Sequence, residues 1–386
     1  MSVHEQIAKI RTIIGTNIKM IAIVGLLVIV AIVATFFITK GPAEQNNNSA
    51  KQKTALPEGA IPPLSEEDIG GISETGERIP GQLDSLIPRA CENAKVYTDL
   101  NEATNDGPAK ICAVSLANKK ITEVPSDIFK FVLLTSLDLS GNDIATLPDE
   151  LFKLYNLKNL NLSKNKLTKI PANVGNLANL DILDIRENKI GSLPSSIGDM
   201  QKLKVLSAEN NELVSLPEEI GKLTDLISLR VESNKLSALP ASIVNLTKLQ
   251  SLNIGVNNFT EIPLDISALV ELKEIKLYGN QITEIPAFFS RFINLLSIDA
   301  DGNKLQIFPS VLFSLPRLSE VHLADNLLQI WPDIGTLVAP IKRLDLAGNP
   351  LADSSENQQK IKNLFPKAEI NFSKDTSLPY ISLPLK

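Results

Sequence analysis

Residues 134–148 read LTSLDLSGNDIATLP, with leucines leading to Asn142 and a Leu147-Pro148 pair at the end. The same frame returns every 23 residues without an insertion or a deletion. A short fixed period of this kind is the sequence signature of a solenoid, in which each unit packs only against its neighbours. The frame's asparagine occurs ten times in succession, at Asn142, Asn165, Asn188, Asn211, Asn234, Asn257, Asn280, Asn303, Asn326 and Asn349.

Each repeat is predicted to contain one strand and one helical turn. The alternation of Leu137 and Leu139 is typical of a strand with one buried face. The proline that follows ends any second strand, and Leu151 and Leu154 then have the spacing of one helical or 3-10 turn. The expected fold class is therefore α/β, a solenoid with a parallel sheet on its concave face and short helical or 3-10 turns on its convex face.

This frame resembles the leucine-rich repeat, whose pattern is L-x-x-L-x-L-x-x-N-x-L. The closing Leu-Pro pair resembles the 23-residue subclass of Ras-group and many bacterial members. The resemblance covers residues 111–351, eleven units of 23 residues. Two units depart from the frame, because Lys119 fills the asparagine slot of the first and Trp331 fills a leucine slot of the tenth. A solenoid of this kind offers a long surface for binding and rarely has a cleft for chemistry.

The repeated asparagine has a structural role in this frame. It lies where the chain turns out of the strand into the core, so its amide can bond free backbone N–H and C=O groups of its own coil and of the adjacent coil. Leaving such a buried group unpaired costs about 1–3 kcal/mol. We therefore expect the ten asparagines to form a ladder along the solenoid.

Both ends of the array are predicted to carry caps, because open sheet edges invite aggregation. Residues 352–373 read as the C-terminal cap: Ser355-x-x-Gln358 resembles a capping box, a helix of about ten residues follows, and residues 368–372 alternate like a last strand. Residues 374–386 read as a loose tail. Residues 88–110 read as the N-terminal cap, with a helix from Pro88 to about Glu102.

The chain's cysteines, Cys91 and Cys112, lie at the N-terminal end of the array. A disulfide between them would pin the cap to the first strand, and oxidation is permitted outside the cytoplasm. Two buried thiols are the alternative.

Residues 20–38, MIAIVGLLVIVAIVATFFI, form an unbroken uncharged stretch. As a helix they would span about 28 Å, close to the hydrocarbon thickness of about 30 Å. A cleaved signal peptide, whose apolar region is usually about 7–15 residues, is the alternative. The positive charges Lys9, Arg11 and Lys19 predict that the tail, residues 1–19, is cytoplasmic and that the repeats lie outside. Residues 39–87 read as a flexible linker.

Composition and motifs exclude several classes of function. The net charge of −6 provides no basic stripe for nucleic acid. The chain has no nucleophile motif, phosphate-binding loop or zinc-ligand spacing. We therefore expect neither an enzyme nor a bound cofactor.

The side chains between the strand leucines are predicted to point to solvent on the concave face. Asp299, Asp301, Glu320 and His322 should meet there on two adjacent strands. Such a group could bind a divalent cation or act as acid and base, but a surface ion pair is the simpler interpretation, and we assign no metal site. The larger and charged side chains in the middle of the face are the expected partner contacts: Arg186, Glu209, Arg230, Glu232, Lys276, Tyr278, Asp301 and His322.

The sequence therefore predicts a single-pass membrane protein whose repeats recognise a partner protein outside the cytoplasm. Two alternatives stay open. The array could be a structural or adhesive surface protein that holds envelope polymer or another cell, or an inward-facing signalling scaffold if the orientation is reversed. Nucleic acid is not an expected partner.

Overall fold

The computed structural model describes residues 95–108, 111–332 and 338–373. These residues form one parallel sheet of thirteen strands, and the strands follow one another in chain order from edge to edge. The strands are β1 Val96–Tyr97, β2 Ala113–Ser115, β3 Ser136–Asp138, β4 Asn159–Asn161, β5 Ile182–Asp184, β6 Val205–Ser207, β7 Ser228–Arg230, β8 Ser251–Asn253, β9 Glu274–Lys276, β10 Ser297–Asp299, β11 Glu320–His322, β12 Arg343–Asp345 and β13 Glu369–Asn371.

Residues that are 23 positions apart in the sequence pair directly on adjacent strands of the sheet. Leu206, Leu229 and Leu252 are directly paired across β6, β7 and β8, and all three side chains are fully buried. Because each repeat has the same length, each of the strands β2 to β12 places its central residue in the core and the two flanking side chains on the opposite face.

A 3-10 helix follows most strands on the other side of the repeat. Each of the first nine begins directly after a proline. The proline ring restricts φ to about −65°, and Pro148 has a φ of −76°. The helix then buries residues such as Leu151, and the Leu154 N–H donates to the Leu151 carbonyl at 3.2 Å. The described 3-10 helices are Ser126–Lys130, Asp149–Lys153, Ala172–Asn176, Ser195–Asp199, Glu218–Lys222, Ala241–Asn245, Leu264–Ala268, Ala287–Arg291, Ser310–Ser314 and Pro350–Asp353.

The ten repeated asparagines bond each coil to the one before it. In Asn257, Nδ2 donates to the carbonyls of Val231 (3.0 Å), Ile254 (3.1 Å) and Gly255 (2.9 Å). Its Oδ1 accepts the N–H of Leu236 at 2.9 Å. Val231 and Leu236 belong to the preceding repeat, so each side chain joins two coils.

The N-terminal cap differs from the sequence prediction. The predicted helix from Pro88 to about Glu102 is wrong at Val96–Tyr97, which is strand β1 and pairs with β2; only its last residues, from Leu100, are helical. Helix α1 is Leu100–Asn105, and the Asp99 side chain caps it by accepting from two backbone N–H groups. A β-branched and an aromatic residue favour the sheet edge here, and Asp99 then begins the helix.

The C-terminal cap consists of helix α2, Ser355–Leu364, and strand β13. Its N-cap is Ser354, whose hydroxyl accepts from the Asn357 N–H at 3.3 Å, and not the Ser355 of the predicted capping box. An aromatic cluster joins this cap to the last repeats. Trp331 is buried, lies 4.4 Å from Phe308 between ring centroids, and meets Phe365 of the cap edge-on at 6.4 Å.

None of the helices in those three ranges is both long and apolar enough to cross a lipid bilayer. The predicted anchor (residues 20–38), cytoplasmic tail, linker and C-terminal tail lie outside the described residues, as does Cys91. The anchor and the Cys91–Cys112 disulfide therefore stay predictions.

Candidate binding face

The sheet presents one row of side chains per strand on the face opposite the core. We call this surface the strand face. It consists of the two residues that flank each central strand residue, together with the residue two positions after the strand ends, such as Arg186 after β5. The predicted partner contacts all lie on it, but the expectation that they point to solvent is wrong for the two that are buried. Glu209 and Asp301 are buried, and the other six are half-buried. Neighbouring strands are only about 4.8 Å apart, so large side chains on adjacent repeats cover one another.

One group of these side chains lies on β5 to β8. The Arg186 guanidinium contacts Asp184 at 3.0 Å, and Asn253 donates to Glu232 at 2.7 Å. Burial raises the pKa of Glu209 to about 7, although the positive charge of Arg230 acts in the opposite direction. Among the described residues, the Glu209 Oε2 atom has no hydrogen-bond partner.

A second group lies on β8 and β9. Lys276 contacts Glu274 at 3.1 Å, and the ring of Tyr278 lies over Gly255. A Cβ atom at position 255 would be 2.7 Å from that ring, so the glycine is what lets the tyrosine lie flat against the neighbouring repeat. This contact fixes the orientation of the largest predicted binding side chain.

The third group is the predicted cluster around His322, and its members lie next to one another as predicted. Asp299, His322 and Asp345 are in register on β10, β11 and β12. Burial and the nearby Asp299 raise the pKa of Asp301 to about 8. Burial lowers the pKa of His322, but the Glu320 carboxylate and the other neighbouring carboxylates, Asp299 and Asp301, outweigh that effect and raise it.

No group of three or more histidine, cysteine, aspartate or glutamate side chains in the described parts of the chain could hold a metal ion. The arrangement around His322 is an ion-pair network, with Glu320 3.9 Å from both His322 and Arg343. Such a network can form ion pairs with charged groups of a partner.

Apart from Glu320, sequence reasoning missed the column of side chains that precedes each central strand residue. Glu274 and Arg343 belong to it, and they pair with Lys276 and Glu320, which also lie on the strand face. The signal was present, because a strand places residues on both sides of a buried leucine on the same face. Counting this column and the residues two positions after each strand, the strand face carries ten carboxylates and four lysine or arginine side chains, so it is acidic overall.

Family models identify the repeats. Residues 149–215 match the model of a leucine-rich repeat region, and residues 133–154 match the model of the single leucine-rich repeat. No curated protein resembles the chain closely enough to count as a match.

Solved structures share the architecture. A plant peptide hormone receptor, RGFR1 in complex with RGF2, is 27% identical with a TM-score of 0.55 and covers 69% of this chain and 48% of its own. An internalin (inlF) from Listeria monocytogenes is 24% identical with a TM-score of 0.56, covering 67% of this chain and 78% of its own. The Toll–Spatzle complex of Drosophila is 23% identical with a TM-score of 0.55, covering 63% and 35%. This chain spans less than half of the plant receptor. The model matches place leucine-rich repeats within residues 133–215.

Proposed function

We propose that this leucine-rich-repeat protein recognises a partner protein through its strand face, the predicted concave face. The observation that carries the proposal is the strand face itself, a continuous surface over thirteen paired strands. Leucine-rich-repeat proteins are typically recognition modules and not enzymes, and the proposed function includes no catalytic step. The plant receptor, 27% identical, is itself described in complex with RGF2, which supports a binding role for the shared architecture.

The side chains of the strand face are well suited to binding because they are held in place before a partner arrives. Arg186 is fixed by Asp184 at 3.0 Å and Lys276 by Glu274 at 3.1 Å. Tyr278 is fixed by its contact with Gly255. Side chains that are already ordered lose less conformational entropy on association, and a tyrosine among charged groups is a common energetic centre of an interface.

A matched pair of tyrosine variants tests this proposal. The full chain is used to capture partners from its own cells after cross-linking, as wild type, Tyr278→Ala and Tyr155→Ala. Tyr155 is 55% exposed and lies outside the strand face, after a 3-10 helix. We expect one stoichiometric protein to be lost with Tyr278→Ala and retained with Tyr155→Ala, with both variants melting as cooperatively as wild type.

Equal retention by both variants would contradict recognition at the strand face. Retention of polysaccharide in place of a stoichiometric protein would favour the adhesive role.

We also propose that residues 20–38 tether the protein to a membrane, with residues 1–19 in the cytoplasm and the repeats outside. The support is the uncharged stretch and its positive N-terminal flank. Protease added to intact cells should digest the repeats while the protein remains in the membrane fraction. Protection of the repeats in intact cells would instead place them inside, as in the scaffold alternative, and release into the medium would indicate a cleaved signal peptide.

A further inference from the structure

Arg230 differs from the other basic side chains of the strand face. Within the described ranges it makes no ion pair and no side-chain hydrogen bond, although it is half-buried. A guanidinium carries five donors in a planar fork, so this side chain retains its full bonding capacity. The other three basic side chains are paired: Arg186 with Asp184 at 3.0 Å, Lys276 with Glu274 at 3.1 Å and Arg343 with Glu369 at 3.4 Å.

The immediate neighbours of Arg230 are neutral or have unused hydrogen-bonding groups. Ser207 and Asn253 are its in-register partners on β6 and β8. The hydroxyls of Ser207 and Ser228 and the Oε2 atom of Glu209 are buried and, in the part of the chain that the structure describes, have no hydrogen-bond partner. Buried polar atoms are normally paired. Since none of these buried neighbours bonds the Arg230 guanidinium, a partner for it has to come from the solvent side.

The position of Arg230 favours an anchoring role. It lies on β7, the middle strand of the thirteen, and energetic centres of interfaces concentrate near the middle and are enriched in arginine. The group that matches a guanidinium fork is a planar oxyanion, because two parallel N–H groups bond both of its oxygens.

We propose that Arg230 anchors a carboxylate of the bound partner. This assignment rests on the proposed function of the strand face and names the chemistry of its centre. The carboxylate comes either from an acidic side chain of the partner or from its chain terminus.

Glu209 does not take the place of that carboxylate. Its carboxyl is buried, and it makes no ion pair with Arg230 within the described residues. The charged groups that act on it are Arg230, Asp184 and Arg186, and burial still raises its pKa to about 7. A bound carboxylate favours the protonated form of Glu209, so binding should take up a proton and strengthen between pH 8 and pH 6. Glu209→Gln should remove that pH dependence of binding.

Three peptides distinguish the two sources of the carboxylate. Hexaglutamine with an acetylated and an amidated end and a glutamate in place of its third residue carries only one side-chain carboxylate, which limits repulsion by the acidic strand face. Acetylated hexaglutamine with a free carboxyl end carries only a terminal one, and hexaglutamine blocked at both ends carries none. Binding to the purified full chain is measured by isothermal titration calorimetry for wild type, Arg230→Gln and Lys248→Gln. The lysine variant is the matched control, since Lys248 is a base paired with Asp225 at 2.6 Å and lies outside the strand face.

We expect one of the two carboxylate peptides to bind wild type and Lys248→Gln, and to bind Arg230→Gln at least about tenfold more weakly. The blocked hexaglutamine should not bind. Equal weakening by both variants, unchanged binding to Arg230→Gln, or failure of both carboxylate peptides would overturn the assignment. The tyrosine capture experiment decides the proposed function separately, because a partner lost with Tyr278→Ala would leave recognition standing even if Arg230 were excluded.

Discussion

The carboxamide of Asn257 bonds to two repeats at once through Val231, Ile254, Gly255 and Leu236. We expect Asn257→Ala to lower the free energy of unfolding by about 1–3 kcal/mol, because buried backbone groups of both coils lose their partner. Urea denaturation followed by circular dichroism measures the change. Asn258→Ala is the matched control: Asn258 is exposed, so its change should stay within about 0.5 kcal/mol. Similar losses for both variants would mean that the ladder carries no special share of the stability.

Val256, next to that asparagine, has a strained backbone. Its φ is +48°, a left-handed conformation that most other repeats give to glycine or to a polar residue. This conformation costs a side-chain-bearing residue about 1–2 kcal/mol, and the loss of chain entropy with glycine offsets part of the gain. We therefore expect Val256→Gly to stabilise the protein by about 0.5–1 kcal/mol. Val214→Gly, at another exposed valine without a positive φ, should not stabilise it. A destabilised Val256→Gly variant in thermal or urea melts would show that the strain is absent.

At the scale of the element, glycine sets how closely neighbouring 3-10 helices pack. A Cβ atom at Gly198 would lie 2.4 Å from the Glu219 carbonyl oxygen of the next repeat. Alanine usually stabilises a helical position over glycine, but here overpacking should dominate, and we expect Gly198→Ala to cost about 1–3 kcal/mol. Gly191→Ala is the control, because within the described residues its Cβ would meet no atom within 4 Å. Its stability should be unchanged or slightly higher, and a neutral Gly198→Ala in the same melts would contradict the close approach.

Two neighbouring serines at the start of helix α2 have different roles. Ser354 bonds the Asn357 N–H, whereas Ser355 is the first helical residue. Replacing an N-cap serine by alanine costs about 0.5–2 kcal/mol, so we expect this loss for Ser354→Ala. Ser355→Ala should be close to neutral, since alanine is a good helix former. The two urea midpoints decide between them, and a larger loss for Ser355→Ala would restore the capping box that the sequence pattern indicates.

These elements show how much the sequence could predict. The 23-residue period determines the strands, their parallel order and the buried Leu206, Leu229 and Leu252, because equal repeats can only stack in register. Strand β1 was missed, since two residues carry no periodicity and its partner lies in another unit. The burial of Glu209 and Asp301 was also missed, because it arises from side chains of adjacent repeats and not from the residue's own position in the frame.

At the scale of the whole molecule, the buried acids of the strand face make stability depend on pH. Burial raises the pKa of Glu209 to about 7 and, with Asp299, that of Asp301 to about 8. Ordinary values for these groups are near 4. Between about pH 4 and pH 8 the folded protein therefore holds protons that the unfolded chain releases, and the free energy of unfolding contributed by these groups falls as pH rises.

We expect the double variant Glu209→Gln with Asp301→Asn to gain stability over wild type as pH rises from 5 to 8.5, with little difference at pH 4. Urea midpoints at each pH measure this. Glu212→Gln is the control, because the pKa of the exposed Glu212 is lowered by its bond to Lys235, so its removal should not produce a gain at high pH. A double variant that tracks wild type across the whole range would show that the two acids ionise freely in the folded protein, and the strand face would then be open to water where the structure has it closed.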